Sequence, residues 1–464
     1  PPSPGLPDSH CYNTWYNGHA LGLGELHKGY WQKVKPGWAY ACGEFGSEAF
    51  DNYEVVKKYW PKEWLPKDES KPWSPDKVAL AQSDNFHHMW YPTPVTLKDW
   101  IEASQNHQAW ATRLVTEAFR RDTDMMSFAI HLFIDAWPAG WMKAIMDVDR
   151  NPKKAFFVYR DALAPIMVNL RTDRYHFFEQ EEVSIEAWLC NDFNVVPNNY
   201  ILRWQLEDDD KVILSSQKEP KFPINSAKFQ GYIKFKVPKV SVRSKYKLRM
   251  ALFDSNGEGV SESLIDLDFF PKKAKNNRLS VYTPSLEGKA RLLLDELNVK
   301  TVNDINNSSV IIVDNIDYYE QNKSSLDQLV RQGRTLILLE LPEGEFKIGE
   351  SQIAIENTIM GQYYFVSPKS GHSMMESAES ADFKFWYNDS KGLVTPLLNS
   401  MLKADAEWLP ILKTGKTTWV GMEGEYSAVA EKKMGQGKYV ICQLQLNNRI
   451  LNPTAHAFAL DLVN

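Results

Sequence analysis

Several features that define other protein classes are missing from this chain. No apolar run approaches the ~20 residues that a helix needs to cross a bilayer. The 59 acidic and 53 basic residues leave a net charge of −6, and no basic cluster stands out. Nucleic-acid-binding proteins present clustered positive charge to phosphates. The sequence therefore predicts no membrane span and no nucleic-acid partner.

Cysteine is scarce, and its spacing excludes the common metal sites. The four cysteines, Cys11, Cys42, Cys190 and Cys442, lie far apart and form no Cys-x-x-Cys pair, which is the spacing that structural zinc sites use. We expect buried free thiols, and neither a bound metal nor another cofactor.

The chain does contain ample apolar and aromatic material for buried cores. Hydrophobic residues make up 43% of its 464 residues, and this length predicts about two to four domains. Three regions with different patterning follow one another. We place them at 1–168, 169–273 and 274–464.

The first region presents a carboxylate where a short aromatic strand ends. Segments 10–16, 38–44 and 128–137 are apolar and aromatic enough to form strands, and Glu44 lies between Gly43 and Gly46. In a parallel (β/α) barrel the functional residues sit at the C-terminal ends of the strands. Glycine there lets a substrate approach the backbone closely. A glutamate in this position can attack a sugar carbon.

A long helix is predicted between the second and third of these strands. The sequence Thr96-Leu97-Lys98-Asp99 resembles a capping box, and apolar residues recur near helical spacing from Trp100 to Phe119. This order of strand, helix and strand is typical of a parallel barrel wall.

The second region changes to strict alternation. Val183, Ile185, Ala187 and Leu189 point to one face of a strand, and several further alternating runs follow at regular spacing. Period two with short turns predicts an immunoglobulin-like β-sandwich.

An acidic triplet at 208–210 interrupts this second region. It lacks the spacing of an EF-hand calcium loop and lies between two apolar residues, Leu206 and Val212. We therefore predict a solvated hairpin turn.

The third region alternates apolar strands with helical patterns. We expect strands at 279–282, 310–314 and 335–339, and helices at 287–297 and 324–332. Strands that are apolar on both faces suit a parallel sheet covered by helices. The sequence thus predicts a flavodoxin-like α/β domain.

Four segments of the first region, in this order and spacing, resemble the last third of the catalytic barrel of glycoside hydrolase family 2. They are 12–16, 43–50, 135–141 and 149–160, with Gly-Glu-Phe-Gly in the second and Asp-Ala-Trp-Pro in the third. These two elements look most like the β-mannosidase branch, although β-galactosidases and β-glucuronidases share the layout. The third region is similar to the glutamine-amidotransferase-like domains appended to some glycosidases.

The resemblance implies a partial (β/α)8 TIM barrel and a retaining exo-β-glycosidase that hydrolyses O-glycosidic bonds of β-linked glycosides or oligosaccharides. It implies that Glu44 is the nucleophile and that Tyr12 donates a hydrogen bond that keeps Glu44 ionised. The substrate-binding residues that it implies are His10, Asp135, Trp137 and Trp141.

The second carboxyl group of such an enzyme is missing. A retaining glycosidase needs one about 5 Å from the nucleophile, and the family carries it in an Asn-Glu pair that occurs nowhere in this sequence. A whole barrel takes about 250 residues, whereas only those before about 165 can belong to one here. We expect a C-terminal portion that is inactive alone and whose partner is the missing N-terminal part; a homo-oligomer also stays open.

Two other functions stay open. The chain could be a non-catalytic carbohydrate-binding or assembly protein whose half barrel retains aromatic residues only. An amidotransferase or protease-like activity is disfavoured, because Cys442 lies inside the apolar run 439–442 and not at a glycine-flanked elbow. The sugar is also open, since Gly43 replaces a usual serine and 131–134 replaces a Trp-Gln-Leu-Asn run.

Overall fold

The structure is a computed structural model that describes residues 10–16, 22–29, 38–135, 142–272, 280–357, 372–375, 378–418 and 421–463. The chain divides into two compact units. The first comprises 1–84 and 94–272, and the second comprises 85–93 and 273–464.

Helices and strands are numbered here in chain order within the described residues. The helices are α1 (Leu23–His27), α2 (Tyr53–Tyr59), α3 (Ser83–Phe86), α4 (Leu97–Arg121), α5 (Lys154–Ala162), α6 (Lys289–Glu296), α7 (Ile316–Gln321), α8 (Lys323–Arg331) and α9 (Pro453–Leu462). The strands are β1 (Tyr40–Phe45), β2 (Met125–Ile130), β3 (Ile166–Arg171), β4 (His176–Phe178), β5 (Glu182–Asn191), β6 (Ile201–Asp208), β7 (Lys211–Lys218), β8 (Ser226–Lys236), β9 (Ser244–Phe253), β10 (Gly259–Phe270), β11 (Val281–Tyr282), β12 (Val310–Val313), β13 (Thr335–Leu339), β14 (Gly344–Ile348), β15 (Ser351–Asn357), β16 (Tyr387–Asn388), β17 (Leu393–Val394), β18 (Ser400–Ala404), β19 (Leu409–Thr418), β20 (Gly421–Met434) and β21 (Gly437–Cys442).

The amino-terminal part of the first unit is a piece of a parallel barrel wall. Strands β1 and β2 pair in parallel, with Phe45 opposite Ile130, and α4 connects them in sequence. A parallel bridge joins Cys11 to Phe45. Three successive stretches of chain therefore lie side by side in sequence order, as they do in a (β/α) barrel. This confirms the expected partial barrel.

The expected strand over 10–16 is wrong beyond Cys11. The backbone N–H groups of Trp15 and Tyr16 both donate to the carbonyl of Tyr12, at 2.8 and 2.7 Å. The chain therefore turns immediately after the bridge. This turn leaves Tyr12 at the end of the wall, where the strands stop.

Helix α4 begins with the expected capping box and covers the wall with its apolar face. The Thr96 hydroxyl accepts the N–H of Asp99 at 3.2 Å, and the Asp99 carboxylate accepts the N–H of Thr96 at 2.9 Å. Val115 and Phe119 of this helix pack against Phe45 in one buried cluster. Burial of this face holds the two strands in register, because apolar contact is the main favourable term in folding.

The region after the wall is a β-sandwich, as the alternation predicts. One sheet has the order β3-β5-β8 and the other β4-β10-β9-β6-β7. The alternating residues of β5 are all buried and belong to one core. The acidic triplet lies at the predicted hairpin turn, where Asp208 ends β6 and pairs with Lys211 across two turn residues.

The last region contains the predicted parallel strands and a second half that the sequence did not predict. Strands β11, β12, β13 and β21 are parallel neighbours. The sheet then continues through β20, β18, β15 and β14 with antiparallel pairing. The flavodoxin-like half is confirmed, and an antiparallel extension is attached to its edge.

All four cysteines are buried free thiols, as expected. Burial raises the pKa of the Cys442 thiol to about 12, so this sulfur carries no nucleophilic thiolate near neutral pH. In the part of the chain that the structure describes, no three His, Cys, Asp or Glu side chains are grouped to hold a metal ion. Over the same residues, no helix has the length and apolar content to span a bilayer.

Gly46 is required by the close approach of two strand ends. A Cβ atom at this position would lie 2.5 Å from the carbonyl oxygen of His131. We predict that Gly46→Ala lowers the free energy of unfolding by about 1–3 kcal/mol, the usual cost of overpacking. The measurement is urea unfolding followed by tryptophan fluorescence.

Gly259→Ala is the matched control for this substitution. A Cβ atom at Gly259 would meet no atom within 4 Å, so the expected change is below about 0.5 kcal/mol. Equal unfolding midpoints for the two variants would show that the contact between Gly46 and His131 is not a packing constraint.

Candidate active site

Glu44 lies at the C-terminal end of β1, where the strand pairing is irregular. The register between β1 and β2 shifts between Cys42 and Phe45. The carbonyl of Glu44 is nevertheless fixed, because it accepts the backbone N–H of Cys11 at 2.8 Å and the thiol of Cys42 at 3.2 Å. Such an irregularity re-aims a side chain. The Glu44 side chain stays 36% exposed, while Phe45 next to it is buried in the core.

Two residues of the predicted site, Tyr12 and His10, contact the same carboxylate oxygen of Glu44. The hydroxyl of Tyr12 donates to Oε2 at 2.7 Å, and Nδ1 of His10 lies 3.2 Å from Oε2. Among the described residues, none makes a hydrogen bond to Oε1. The structure therefore brings His10, Tyr12 and Glu44 together and leaves one carboxylate oxygen for a further contact.

The environment of Tyr12 keeps its hydroxyl protonated, so that it remains a hydrogen-bond donor. The residue is 7% exposed, and burial, followed by the hydrogen bond to Glu44, raises the pKa of its hydroxyl. The phenol therefore keeps its proton near neutral pH. A hydrogen bond to the charged form stabilises that form.

Aromatic and imidazole rings surround Tyr12. The rings of Tyr16 and His131 lie 5.7 and 6.2 Å from it, centroid to centroid. His131 follows β2, and its backbone N–H donates to the carbonyl of Phe45 at 2.8 Å. Burial lowers the pKa of His131, so the neutral imidazole is favoured at this edge.

Glu48 is also close to Glu44 in sequence, but it has a structural role. It is fully buried and accepts the N–H groups of Gln82 and Ser83 at 2.8–2.9 Å, together with the Ser83 hydroxyl. Gln82 in turn accepts the indole N–H of Trp15 and the hydroxyl of Tyr16. Glu48 thus ties the segment before α3 to the Tyr12–Tyr16 turn.

Asp135 is held in a buried cluster of charges. Nζ of Lys153 lies 3.3 Å from Asp135 and 2.9 Å from Asp51, and all three residues are at most 7% exposed. Burial raises the pKa of Asp135 to about 7, and Lys153 acts in the opposite direction. For Lys153, burial lowers the pKa but the two carboxylates outweigh it. The structure therefore places Asp135 at the end of the wall with Lys153 as its partner.

Trp137 and Trp141, the other predicted substrate-binding residues, lie outside the described residues. Sequence reasoning missed three residues that the structure places around the candidate site: His131, Lys143 and Lys153. Each is brought there by contacts between residues far apart in sequence. A usable signal existed only for His131, which stands directly after a strand and so at the same edge as Glu44.

The similarity of this chain to known proteins is found among solved structures and at low sequence identity. No protein-family model matches the chain, and no curated protein does. Among solved structures, the β-D-mannosidase from Dictyoglomus thermophilum is similar over 55% of this chain and 30% of its own, with 16% identity and a TM-score of 0.40. The exo-chitosanase CsxA from Amycolatopsis orientalis is similar over 56% and 30%, with 15% identity and a TM-score of 0.36. This chain thus spans about 30% of the length of each enzyme, and likenesses at this level carry no argument about its activity.

The buried cluster at Asp135 gives a direct stability prediction. Lys153→Met leaves two carboxylates without their counter-charge in the core, and we expect a loss of about 3–5 kcal/mol, the cost of breaking a buried ion pair. The measurement is denaturant unfolding at pH 7.

The neighbouring Lys154→Met is the matched control. Lys154 is 41% exposed and pairs with Glu102 on the surface, so its loss should cost about 0–1 kcal/mol. If both variants unfold at the same denaturant concentration, the cluster of Lys153 does not hold the wall together.

Proposed function

We propose that this chain supplies the nucleophile of a retaining exo-β-glycosidase. The observation that carries the proposal is the geometry at Glu44. Its Oε2 receives the Tyr12 hydroxyl at 2.7 Å and lies 3.2 Å from Nδ1 of His10, whereas no described residue bonds to Oε1. A carboxylate that is held by one oxygen and open at the other is suited to nucleophilic attack.

The reaction has two displacements. Oε1 of Glu44 attacks the anomeric carbon, the bond to the leaving oxygen breaks, and that oxygen takes its electron pair and a proton from the acid/base group. A water molecule then gives a proton to the same group and attacks the anomeric carbon, which releases the sugar and restores the Glu44 carboxylate. Tyr12 donates its hydrogen bond to the Glu44 carboxylate before the first displacement and again after the second.

The acid/base group comes from another part of the enzyme. Asp135 is engaged by Lys153, and Glu48 is fully buried and bound by Gln82 and Ser83. In this proposal the chain is inactive alone and works with the N-terminal part of the same enzyme; a homo-oligomer is compatible with it.

The substrate is a β-linked glycoside bound against the edge of the wall. In this proposal His10 and Asp135 bind sugar hydroxyls, Trp137 stacks on the ring at the non-reducing end, and Trp141 is a further substrate-binding residue. The motifs favour a β-mannoside, with β-galactosides and β-glucuronides as the other substrates of the proposed class. The two similar solved structures have TM-scores of 0.40 and 0.36, so this assignment depends on the residues of the chain itself.

A non-catalytic carbohydrate-binding or assembly protein is the second candidate. It is favoured by the occupied carboxylates at Asp135 and Glu48, because a binding protein needs aromatic faces and no pair of catalytic carboxyl groups. The two candidates differ in whether Glu44 forms a covalent bond to a sugar.

Covalent labelling separates them without a general acid. The probes are the 2,4-dinitrophenyl 2-deoxy-2-fluoro-β-glycosides of mannose, galactose and glucuronic acid, whose leaving group departs without being protonated. They are incubated with the native protein that contains this chain. We predict that at least one of the three adds one sugar to Glu44, located by mass spectrometry of the peptides. Chromogenic β-glycosides should stay intact with the 464-residue chain alone.

The controls for this labelling are two carboxylate variants. Glu44→Gln should abolish labelling, and Glu54→Gln, on an exposed position of α2, should not change it. Binding of the sugars without any covalent adduct would favour the second candidate. Hydrolysis by the isolated chain that depends on Glu44 would contradict only its proposed inactivity.

Tyr12→Phe tests the hydrogen bond at the nucleophile. Hydrogen bonds to charged groups contribute about 1.5–3 kcal/mol, so we predict labelling about ten to one hundred times slower in this variant. The rate is measured from the time course of the mass adduct. An unchanged rate would show that Tyr12 does not orient Glu44.

A further inference from the structure

A buried lysine lies beneath the tyrosine that binds Glu44. Nζ of Lys143 is 4.4 Å from the ring centroid of Tyr12 and 4.8 Å from that of Tyr16, and it donates to the Tyr16 hydroxyl at 2.8 Å. The residue is 3% exposed. An ammonium group over an aromatic face is attracted by the ring, and more strongly when water is excluded.

The backbone of Lys143 is held from two sides. Its carbonyl accepts the side-chain amide of Gln108, on α4, at 3.0 Å and the N–H of Leu132, after β2, at 3.3 Å. Because Lys143 is already fixed at its backbone and at Nζ, little further conformational entropy is lost when the site binds a substrate. The position of Lys143 is therefore part of the wall itself.

Charged and titratable groups from each neighbouring segment face this lysine. They are Tyr12 and Tyr16 from the turn after the Cys11 bridge, Glu44 from β1, Glu48 from the segment after β1, and His131 from the end of β2. Burial lowers the pKa of Lys143 to about 8, against the opposing effects of Glu48 and Glu44. Its charge therefore changes within the pH range of ordinary assays.

We propose that Lys143 is a positioning residue that supplies a positive charge beneath Tyr12 and so strengthens the hydrogen bond from Tyr12 to Glu44. This inference deepens the proposed function and rests on it. The charge acts through the Tyr12 ring, because an ammonium group over the ring face draws electron density from the phenol and makes its hydroxyl a better donor. Lys143 itself touches neither the substrate nor the reacting atoms.

A purely structural lysine predicts something different. It would need only to fill its space and to hydrogen-bond Tyr16, and then the loss of its charge would leave the reactivity of Glu44 unchanged. Coupling between two sites is reciprocal. If the charge of Glu44 favours the protonated form of Lys143, then the charge of Lys143 favours the carboxylate of Glu44 to the same extent.

The first experiment measures this coupling without any activity. Lysine side chains of the native protein are titrated by NMR, and the Lys143 signal is assigned by its loss in Lys143→Arg. Glu44→Gln should lower the midpoint by about 1 pH unit, the low end of the effect of one nearby opposite charge. Glu54→Gln, which removes an exposed carboxylate, should leave it unchanged.

The second experiment connects this charge to the nucleophile. The rate of Glu44 labelling in the native protein is measured between pH 6 and 10. We expect it to fall about tenfold as pH rises through about 8, because protonated Lys143 is lost there. Lys143→Met should be about tenfold slower below this pH and should lack the step. Lys143→Arg, whose guanidinium stays charged, should keep the faster rate to pH 10.

The outcomes separate this inference from the function on which it rests. Labelling without a step near pH 8, or equal losses in Lys143→Met and Lys143→Arg, would refute the positioning role and leave the nucleophile intact. An unchanged titration midpoint of Lys143 in the Glu44→Gln variant would refute the positioning role as well. If the titration midpoint of Lys143 falls in Glu44→Gln but no fluoroglycoside labels the protein, the coupling would be supported and the proposed glycosidase activity would be refuted. If Lys143→Met does not fold, Lys143→Arg and the titration decide the question.

Discussion

The parallel alignment of three stretches of chain is the constraint on which the candidate site depends. The N–H of Cys11 donates to the carbonyl of Glu44, and the N–H of His131 donates to that of Phe45, both at 2.8 Å. Because these stretches end at one edge, their next side chains emerge together. The contacts of Tyr12 and His10 with Glu44 follow from this backbone register. Gly46 keeps it intact, since any side chain there would displace His131.

Among the described residues near this edge, Lys153, Glu48 and Lys143 are buried ionisable groups that are stabilised in different ways. Lys153 lies between two carboxylates, and Glu48 accepts backbone N–H groups. Lys143 lies against two tyrosine rings and a phenol oxygen. Burying a charge costs several kcal/mol unless its partners replace water. The first two groups thus hold the wall in shape, whereas the third has a pKa of about 8 and can change its charge near neutral pH.

The sandwich and the α/β domain differ from this edge in chemistry. In the sandwich, the alternating residues of β5 fill one apolar core. In the α/β domain, the sulfur of Cys442 is fully buried at the end of β21, and its raised pKa makes it a poor nucleophile. The proposed covalent chemistry is therefore assigned to Glu44.

The sequence by itself determined the elements whose signals are local. The alternation at Val183–Leu189, the capping box at Thr96, the hairpin after Asp208 and the apolar strands at 310–314 and 335–339 all formed where expected, because periodicity, caps and turns depend on neighbours in sequence. The position of Glu44 at the end of a strand could also be predicted from the sequence. The short strand at 10–16 failed as a prediction, since the carbonyl of Tyr12 is satisfied by a turn instead.

Only the tertiary structure decided which side chains meet. Lys153 reaches Asp51 and Asp135, Lys143 reaches Tyr12 and Tyr16, and the antiparallel strands add to the edge of β21. The contacts of Lys153 with Asp135 and of Lys143 with Tyr16 join residues that are 18 and 127 positions apart. Their partners are selected by burial, because a charge removed from water must find its counter-charge wherever the fold brings one close. That selection has no local pattern from which a sequence could reveal it.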